Sequence, residues 1–234
     1  MKKILSVLFI TTVFTASAQI NSLTEKEKKA GWKLLFDGKS TSGWRNYLKP
    51  SINSQWKVVD GALTLTEKGG GDIITEGEFE NFELSLEWKI SDCGNSGIFY
   101  GVVEDTSYCC VFFTGPEMQV LDDKCHPDNK LENHRAGSLY DMLSPAKNVV
   151  KPAGEWNLVS IKINKGKVEQ WLNGVKIVEY TLWSDSWNTM VSKSKFKDWK
   201  AFGKAKRGHL ALQDHGDVVS FRNIKIKIRK DTNF

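Results

Sequence analysis

Polar side chains able to bind hydroxyl groups cluster on two predicted strands and on the turn that follows one of them. Glu117 and Gln119 alternate with apolar residues, so both point away from the core on the same strand face. Gln213 ends a second apolar strand, and Asp214 and His215 follow it directly. Amides, carboxylates and an imidazole share directional hydrogen bonds with a polyol and can also move a proton. The spacing therefore predicts a site for a polyhydroxylated ligand.

The strand that carries Glu117 lacks a second carboxylate. A conventional retaining glycosidase needs two carboxyl groups about 5 Å apart, and sandwich-fold examples place them on one strand face as Glu-x-Asp-x-Glu. The corresponding stretch here reads Glu117-x-Gln119-x-Leu121. A double-displacement mechanism built on a carboxylate pair is therefore not expected.

Tryptophan is unusually frequent, with nine residues in 234. Its flat apolar face can cover the C–H face of a pyranose, so a tryptophan in a loop is a candidate sugar platform. The loop tryptophans are Trp44, Trp183, Trp187 and Trp199, whereas Trp56, Trp88, Trp156 and Trp171 fall within strand patterns and are expected in the core.

The elements that must position these side chains are strands. Period-two alternation is seen at 56–59, 62–65, 82–90, 117–120, 158–163 and 222–228, with tight-turn signals at 60–61, 69–71, 165–166 and 173–174. Repeated strands with little helical periodicity predict an all-β, concanavalin A-like jelly-roll sandwich of two antiparallel sheets with long loops. Asp122 to Val150 is polar and irregular, as functional loops often are. Residues 184–206 form a second insertion that is expected to carry a short helix.

Composition and the first residues predict an exported globular protein. About 40% of residues are apolar and 26% are charged, which excludes disorder and fibrous architecture. Residues 1–18 have the lysines, the short apolar run and the small-x-small end of a signal peptide. Residues 19–30 form a polar segment with a helix cap expected at Ser22 or Thr24, and 31–234 form one domain. We expect a bacterial periplasmic or extracellular protein without membrane insertion.

The net charge of +5 gives no electrostatic case for nucleic-acid binding. The lysine-rich stretches 193–206 and 225–230 are interpreted as solvated faces. Export permits disulfides among the four cysteines, and one bridge is expected between Cys109 or Cys110 and Cys93 or Cys125. Thiol ligation of a metal is disfavoured because no Cys-x-x-Cys spacing is present.

Several dispersed motifs, taken in order, resemble a known family. They are Gly31-Trp32-Lys33-Leu34-Leu35-Phe36-Asp37-Gly38 with Gly43-Trp44, Asn81 to Leu84 with Glu87-Trp88, Asn95-Ser96-Gly97-Ile98, Glu117 to Asp122, His134 with Gly137 to Tyr140, Gly154 to Asn157, Trp171 to Gly174, Gly208 to Leu210, Leu212 to Gly216, and Phe221 to Ile224. Together they resemble the 3-keto-disaccharide hydrolase family over residues 31–229. The resemblance implies a concanavalin A-like jelly roll that acts on glycosides oxidised at C3 of the sugar.

The chemistry implied by that resemblance starts at the sugar carbonyl. A carbonyl at C3 acidifies the proton on C2, so removal of this proton can expel the C1 substituent, after which water adds back. Such a route needs a base, a stabiliser for the enolate and help for the leaving oxygen. Glu117 or His215 is the expected base, and the stabiliser is expected to be His134, Arg222 or a bound divalent cation.

Further residues are expected to bind the sugar. Gln119, Gln213, Asn95 and Tyr140 would position hydroxyl groups, and Asp214, Arg222, Glu87 and Trp44 complete the expected set. Arg222 has a second interpretation, because it lies on the core parity of its strand. A bulge or a structural salt bridge would accommodate it there.

Two functions from different classes follow. The first is an exported enzyme that cleaves 3-keto-glycosides or 3-keto-disaccharides, with an oxidoreductase upstream to make the keto group. The second is a non-catalytic carbohydrate-binding module, because the jelly roll serves both roles.

Overall fold

The computed structural model describes residues 20–229 and shows two antiparallel sheets packed face to face. Its strands are β1 (Trp32–Leu34), β2 (Trp44–Asn46), β3 (Trp56–Val59), β4 (Ala62–Leu65), β5 (Ile73–Phe79), β6 (Phe82–Ile90), β7 (Asn95–Val102), β8 (Glu117–Leu121), β9 (Asn157–Asn164), β10 (Lys167–Leu172), β11 (Val175–Thr181), β12 (Gly208–Leu212) and β13 (Val219–Ile228). The helices are α1 (Glu25–Lys29) and α2 (Asp185–Lys193). The predicted sandwich is confirmed. Within these residues no helix is long and apolar enough to cross a membrane.

The larger sheet has eight strands, in the order β11-β10-β9-β6-β13-β4-β3 with β1 paired to β13. The smaller sheet has five, in the order β2-β5-β12-β7-β8. Strand β6 shows the expected alternation, since Phe82, Leu84, Leu86, Trp88 and Ile90 are buried between the sheets while the residues between them are only half-buried. The inner faces of both sheets form one hydrophobic core.

The smaller sheet is covered on both faces around β7 and β8. Every residue of β8 is buried, and the residues of β7 are buried except for half-buried Gly101. A second apolar cluster contains Tyr47, Ile74, Phe99, Val102, Val111 and Ala211. It lies apart from the main core because loops pack over the outer side of this sheet. The same loops enclose the candidate site.

The disulfide expectation was wrong in its pairing. The structure joins Cys93 to Cys125 and leaves Cys109 and Cys110 as free thiols in a loop. Adjacent residues of a strand would point to opposite faces of a sheet, but Cys109 and Cys110 are not such a pair. They lie outside any strand, and their sulfur atoms approach to 2.7 Å.

The polar N-terminal segment forms a short helix, as its cap residues predict. The Thr24 hydroxyl accepts a hydrogen bond from the Glu27 backbone N–H, and the Glu27 carboxylate accepts one from the Thr24 backbone N–H. The insertion at 184–206 likewise contains a helix, α2, capped by Ser184. The predicted signal peptide, residues 1–18, lies outside the described residues.

Candidate functional site

The candidate site is a pocket on the outer side of the smaller sheet, with a volume of about 160 Å³. Strands β7, β8 and β12 supply its floor, and the long loops supply its walls. Its lining residues are Asn95, Phe112, Glu117, Gln119, Tyr140, Lys195, Phe196, Trp199, Gln213 and His215. Seven of these ten were predicted from the sequence: Glu117, His215, Gln119, Gln213, Asn95, Tyr140 and, as a sugar platform, Trp199.

The floor follows from strand pairing. Strands β7 and β8 are antiparallel neighbours, and Gly97 lies opposite Gln119 while Asn95 lies opposite Leu121. Met118 and Val120 enter the main core, so Glu117 and Gln119 reach the outer face. The backbone N–H of Gln213 donates to the Gly97 carbonyl at 3.1 Å, which brings the end of β12 beside β7.

Amide groups on the floor have unused hydrogen-bonding capacity. Both side-chain polar atoms of Gln119, the Oδ1 of Asn95 and the Oε1 of Gln213 are buried and have no partner among the described residues. A buried polar atom without a partner costs free energy, so such atoms are uncommon unless a ligand or water satisfies them. Three such amides in one pocket offer hydrogen-bonding groups suited to sugar hydroxyls.

Glu117 is the only carboxylate among the residues that line this pocket within 20–229. Its side chain is 8% exposed. Burial raises the pKa of Glu117 to about 8, and the positive charge of Lys195 opposes that rise. A carboxylate with a pKa this high is a stronger base than an exposed one, which suits abstraction of a carbon-bound proton.

His215 lies at the pocket rim beside a second histidine. The His126 and His215 rings are 6.1 Å apart, and ligand atoms of His126, His215 and Asp217 lie within 4.8 Å of one another. Two imidazoles and a carboxylate are a donor set that suits a divalent transition metal, with coordination positions left for a substrate. These three residues could hold the divalent cation considered from the sequence.

His134, expected as a stabiliser of the enolate, is not among the residues that line this pocket. Its Nδ1 and Nε2 each lie 3.0 Å from a carboxylate oxygen, of Asp128 and Asp141 respectively. The Tyr140 hydroxyl donates to Asp128 at 2.9 Å, and the His134 and Tyr140 rings are 4.3 Å apart. His134 and these carboxylates therefore position Tyr140, which lines the pocket.

Four further predicted residues do not line the pocket either: Arg222, Glu87, Asp214 and Trp44. Arg222 and Glu87 form an ion pair on the larger sheet. Arg222 Nε donates to Glu87 at 2.6 Å, and its guanidinium lies 4.0 Å from the centroid of the Trp156 ring. The register shifts between Arg222 and Lys225, which confirms the bulge considered from the sequence. Strands β13 and β6 place this pair away from the smaller sheet, so the salt-bridge interpretation of Arg222 is the one the structure supports.

Asp214 and Trp44 have structural partners instead of pocket contacts. The Asp214 carboxylate accepts hydrogen bonds from the backbone N–H groups of Gly69, Gly71 and Gly216. Trp44 is buried and donates from Nε1 to the Leu35 carbonyl at 2.7 Å. Trp44 was predicted as a loop residue, but it begins strand β2.

Three tryptophan predictions were wrong: one platform candidate is buried in the core, and two residues expected in the core are only half-buried. Trp187 is fully buried, whereas Trp156 and Trp171 are half-buried and carry lysine side chains over their rings. Of the four platform candidates, Trp199 is the one that lines this pocket.

Sequence reasoning missed the contribution of Phe112, Lys195 and Phe196 to the wall, and of His126 and Asp217 at the rim. Lys195 lies in a lysine-rich stretch that was interpreted as a solvated face. The sequence did hold one indication that this stretch is not wholly solvated, because the hydrophobic residues Phe196 and Trp199 interrupt it.

Comparison with known proteins identifies the family to which the chain is similar. Residues 31–227 match a family model described as a 3-keto-alpha-glucoside-1,2-lyase-like domain. A 3-keto-disaccharide hydrolase of Bacteroides thetaiotaomicron is 39% identical, over 91% of this chain and 83% of that protein.

Solved structures agree with this match. A candidate glycosyl hydrolase from Parabacteroides distasonis superposes with a TM-score of 0.85 and 36% identity, over 91% of this chain and all of that one. A galectin-like protein from Bacillus subtilis has a TM-score of 0.54 at 13% identity, over 91% of this chain and 97% of that one, and shows the shared fold alone. These similarities support a glycosidase-type hydrolase acting on carbohydrate, and the chain belongs to the 3-keto-alpha-glucoside-1,2-lyase-like family.

Proposed function

We propose that this protein is an exported enzyme that cleaves glycosides whose sugar carries a keto group at C3. The observation that carries the proposal is the pocket floor. Among the described residues, Asn95, Gln119 and Gln213 have buried side-chain amide atoms without a partner there, and Glu117 is the one carboxylate that lines the pocket. A lone carboxylate cannot perform the two-carboxylate double displacement. It can, however, remove a proton that a neighbouring carbonyl has made acidic.

The first step is proton transfer from C2 of the sugar to the Glu117 carboxylate. The electron pair of the C2–H bond passes into the C3 carbonyl and forms an enolate. The C1–O bond then breaks and its electron pair leaves with the aglycone oxygen, which takes up a proton. The sugar product is unsaturated between C1 and C2. The oxygen of a water molecule then adds at C1 and a proton returns to C2, which completes a net hydrolysis with Glu117 again a carboxylate.

The enolate oxygen needs a positive partner. His126, His215 and Asp217 are the residues that would hold a divalent cation at the pocket rim. A divalent cation supplies Lewis-acid stabilisation of negative charge on oxygen. Lys195 lines the same pocket and adds a second positive charge. The floor amides would fix the sugar ring through its hydroxyl groups.

The proposal is tested by comparing two substrates that differ only at C3. Purified protein is incubated with phenyl 3-keto-glucoside and with phenyl glucoside, and phenol release is followed. We expect release from the keto sugar alone, because the C2 proton of the unoxidised sugar is far too weakly acidic. Equal release from both sugars would overturn the elimination route, and binding without any release would favour the carbohydrate-binding alternative.

Metal dependence is tested on the same substrate. Treatment with EDTA is expected to lower turnover, and added Mn²⁺, Co²⁺ or Zn²⁺ is expected to restore it in the wild type but not in Asp217→Asn. Full activity after removal of bound metal would instead indicate that the Lys195 ammonium group, and not a metal ion, stabilises the enolate. The proposal also requires an upstream oxidoreductase that oxidises a sugar hydroxyl at C3.

A further inference from the structure

One wall of the pocket is aromatic and rigid. Phe112, Phe196 and Trp199 line it. The ring of Trp199 lies 5.7 Å from that of Phe112 and 5.0 Å from that of Phe196, centroid to centroid. Phe113 packs against Trp199 at 4.6 Å, and Phe202 stacks on Phe196 at 4.0 Å. Rings held from several sides lose little freedom when a ligand binds.

The wall differs chemically from the floor. The floor presents amide groups and a carboxylate, whereas Phe112 and Phe196 offer no hydrogen-bonding group and Trp199 offers only an indole N–H. Phe112 and Trp199 are half-buried, so part of each ring remains accessible. A surface of this kind binds flat apolar faces, such as an aromatic ring or the C–H face of a pyranose.

The two chemistries divide the pocket into two subsites. A keto sugar that satisfies the floor amides fills the polar side, so its C1 substituent is directed to the other surface of the same small cavity. We propose that Phe112 and Trp199 form the leaving-group subsite and select ring-shaped aglycones over small alkyl ones. This inference rests on the proposed function, because it assumes that the floor binds the sugar to be cleaved.

Lys195 belongs to the same wall. Its Nζ lies 4.1 Å from the Tyr140 ring centroid and 5.3 Å from that of Phe196, and it has no ion-pair partner within residues 20–229. An ammonium group at this position favours a neutral or electron-rich aglycone and disfavours a cationic one. The subsite is therefore expected to accept phenolic and sugar leaving groups.

The test uses three 3-keto-glucosides that share the sugar and differ in aglycone, namely methyl, phenyl and a second glucosyl unit. We expect wild-type kcat/KM to be higher for the two ring aglycones than for methyl. Trp199→Ala should lower kcat/KM by about tenfold for the ring aglycones and less than about threefold for methyl. Trp199→Phe should retain most of the preference, because a flat ring remains.

Trp171→Ala is the matched control. Trp171 is a half-buried tryptophan on β10 of the larger sheet, outside this pocket, and its loss should leave all three rates unchanged. An equal loss of rate on all three substrates in Trp199→Ala, or no loss at all, would overturn the subsite.

The outcome can be separated from that of the proposed function. If the wild type turns over none of the 3-keto-glucosides, the proposed chemistry is wrong. The subsite is then tested by binding affinity instead of by turnover. Calorimetry with phenyl and methyl glucosides would support it if the wild type prefers phenyl and Trp199→Ala loses that preference. Equal affinities in the wild type would overturn it.

Discussion

At the residue scale the site depends on what burial does to one carboxyl group. The Glu117 carboxyl group lies beside Gly97 of β7 and the Phe99 ring, and no described residue donates a hydrogen bond to this carboxyl group. Without such donors the charged form is poorly stabilised, which is why burial raises the pKa of Glu117 to about 8. The group is therefore largely protonated at neutral pH and becomes a base as the pH rises.

The first prediction is a pH profile. If Glu117 abstracts the C2 proton, kcat/KM should rise with pH and level off above about 8, because the free enzyme's carboxylate fraction follows the pKa of Glu117. Glu117→Gln should lower the rate by about 10² or more and remove this rising limb. Steady-state rates between pH 5 and pH 9.5 measure both effects. An unchanged rate in the variant would place the base on another residue.

Stability provides the control for that variant. A carboxyl group whose pKa is raised on folding favours the folded state fully only below its unfolded pKa, and the benefit is lost as pH rises through about 8. Glu117→Gln removes this titration. Its melting temperature should match the wild type near pH 4 and exceed it at pH 9. A lower melting temperature at every pH would indicate a structural role instead.

The second prediction concerns the glycine opposite the floor amide. A Cβ added to Gly97 would lie 2.3 Å from Glu117 Oε1 and 2.7 Å from the Phe99 ring. Gly97→Ala must therefore displace the Glu117 carboxylate, and turnover is expected to fall by about tenfold or more.

Gly77→Ala is a matched control in β5, where the added Cβ would meet the Phe79 ring end at 3.3 Å. We expect near wild-type turnover from it. Equal turnover in both alanine variants would show that the carboxylate position is not critical.

At the element scale the floor depends on how the ends of β7 and β8 are held. The Cys93–Cys125 disulfide joins the turn before β7 to the loop after β8. The Asp122 carboxylate also accepts a hydrogen bond from the Cys93 backbone N–H at 2.9 Å, and the Asp122 N–H donates to the Gly94 carbonyl at 3.0 Å. These links fix Asn95 beside the pocket.

The third prediction follows from that cross-link. The double substitution Cys93→Ser with Cys125→Ser should lower the free energy of unfolding by about 2–4 kcal/mol, because the bridge closes a loop of 32 residues. It should also raise KM, since Asn95 loses its anchor. Urea denaturation and steady-state kinetics measure these effects. The free pair, changed as Cys109→Ser with Cys110→Ser, is the control and should leave the unfolding free energy nearly unchanged.

Strand patterns revealed the floor but could not reveal the walls. Alternation on β8 places Glu117 and Gln119 on one face, which local sequence can show. Lys195 and Phe196 reach the pocket because the segment after α2 folds back over the sheet, a long-range contact that strand periodicity does not encode. The same limit explains His134, since its carboxylate partners come from turns whose geometry periodicity does not encode.

At the scale of the whole molecule the two sheets have different outer faces. The smaller sheet is covered by loops that enclose the pocket, whereas the larger sheet carries ion pairs such as Arg222–Glu87 and the N-terminal segment. Changes on the larger sheet should therefore affect stability more than catalysis. The larger sheet is therefore mainly structural, and the smaller sheet carries the candidate site.

The N-terminal segment provides the last prediction. Asn21 and Asn223 exchange two hydrogen bonds, from each backbone N–H to the other side-chain oxygen, at 2.6 and 2.8 Å. Asn21 Nδ2 also donates to the Gly61 carbonyl at 2.7 Å, and Glu27 forms an ion pair with Lys225 of β13. These contacts should contribute about 1–3 kcal/mol to stability.

A chain starting at Gln19, the expected product of signal-peptide removal, keeps them all, whereas one starting at Gly31 loses them. We expect the shorter chain to melt about 3–8 °C lower with kcat/KM unchanged, since the pocket lies on the other sheet. Equal melting temperatures would identify residues 19–30 as a detachable tether, and N-terminal sequencing of the exported protein decides whether Gln19 is the natural start.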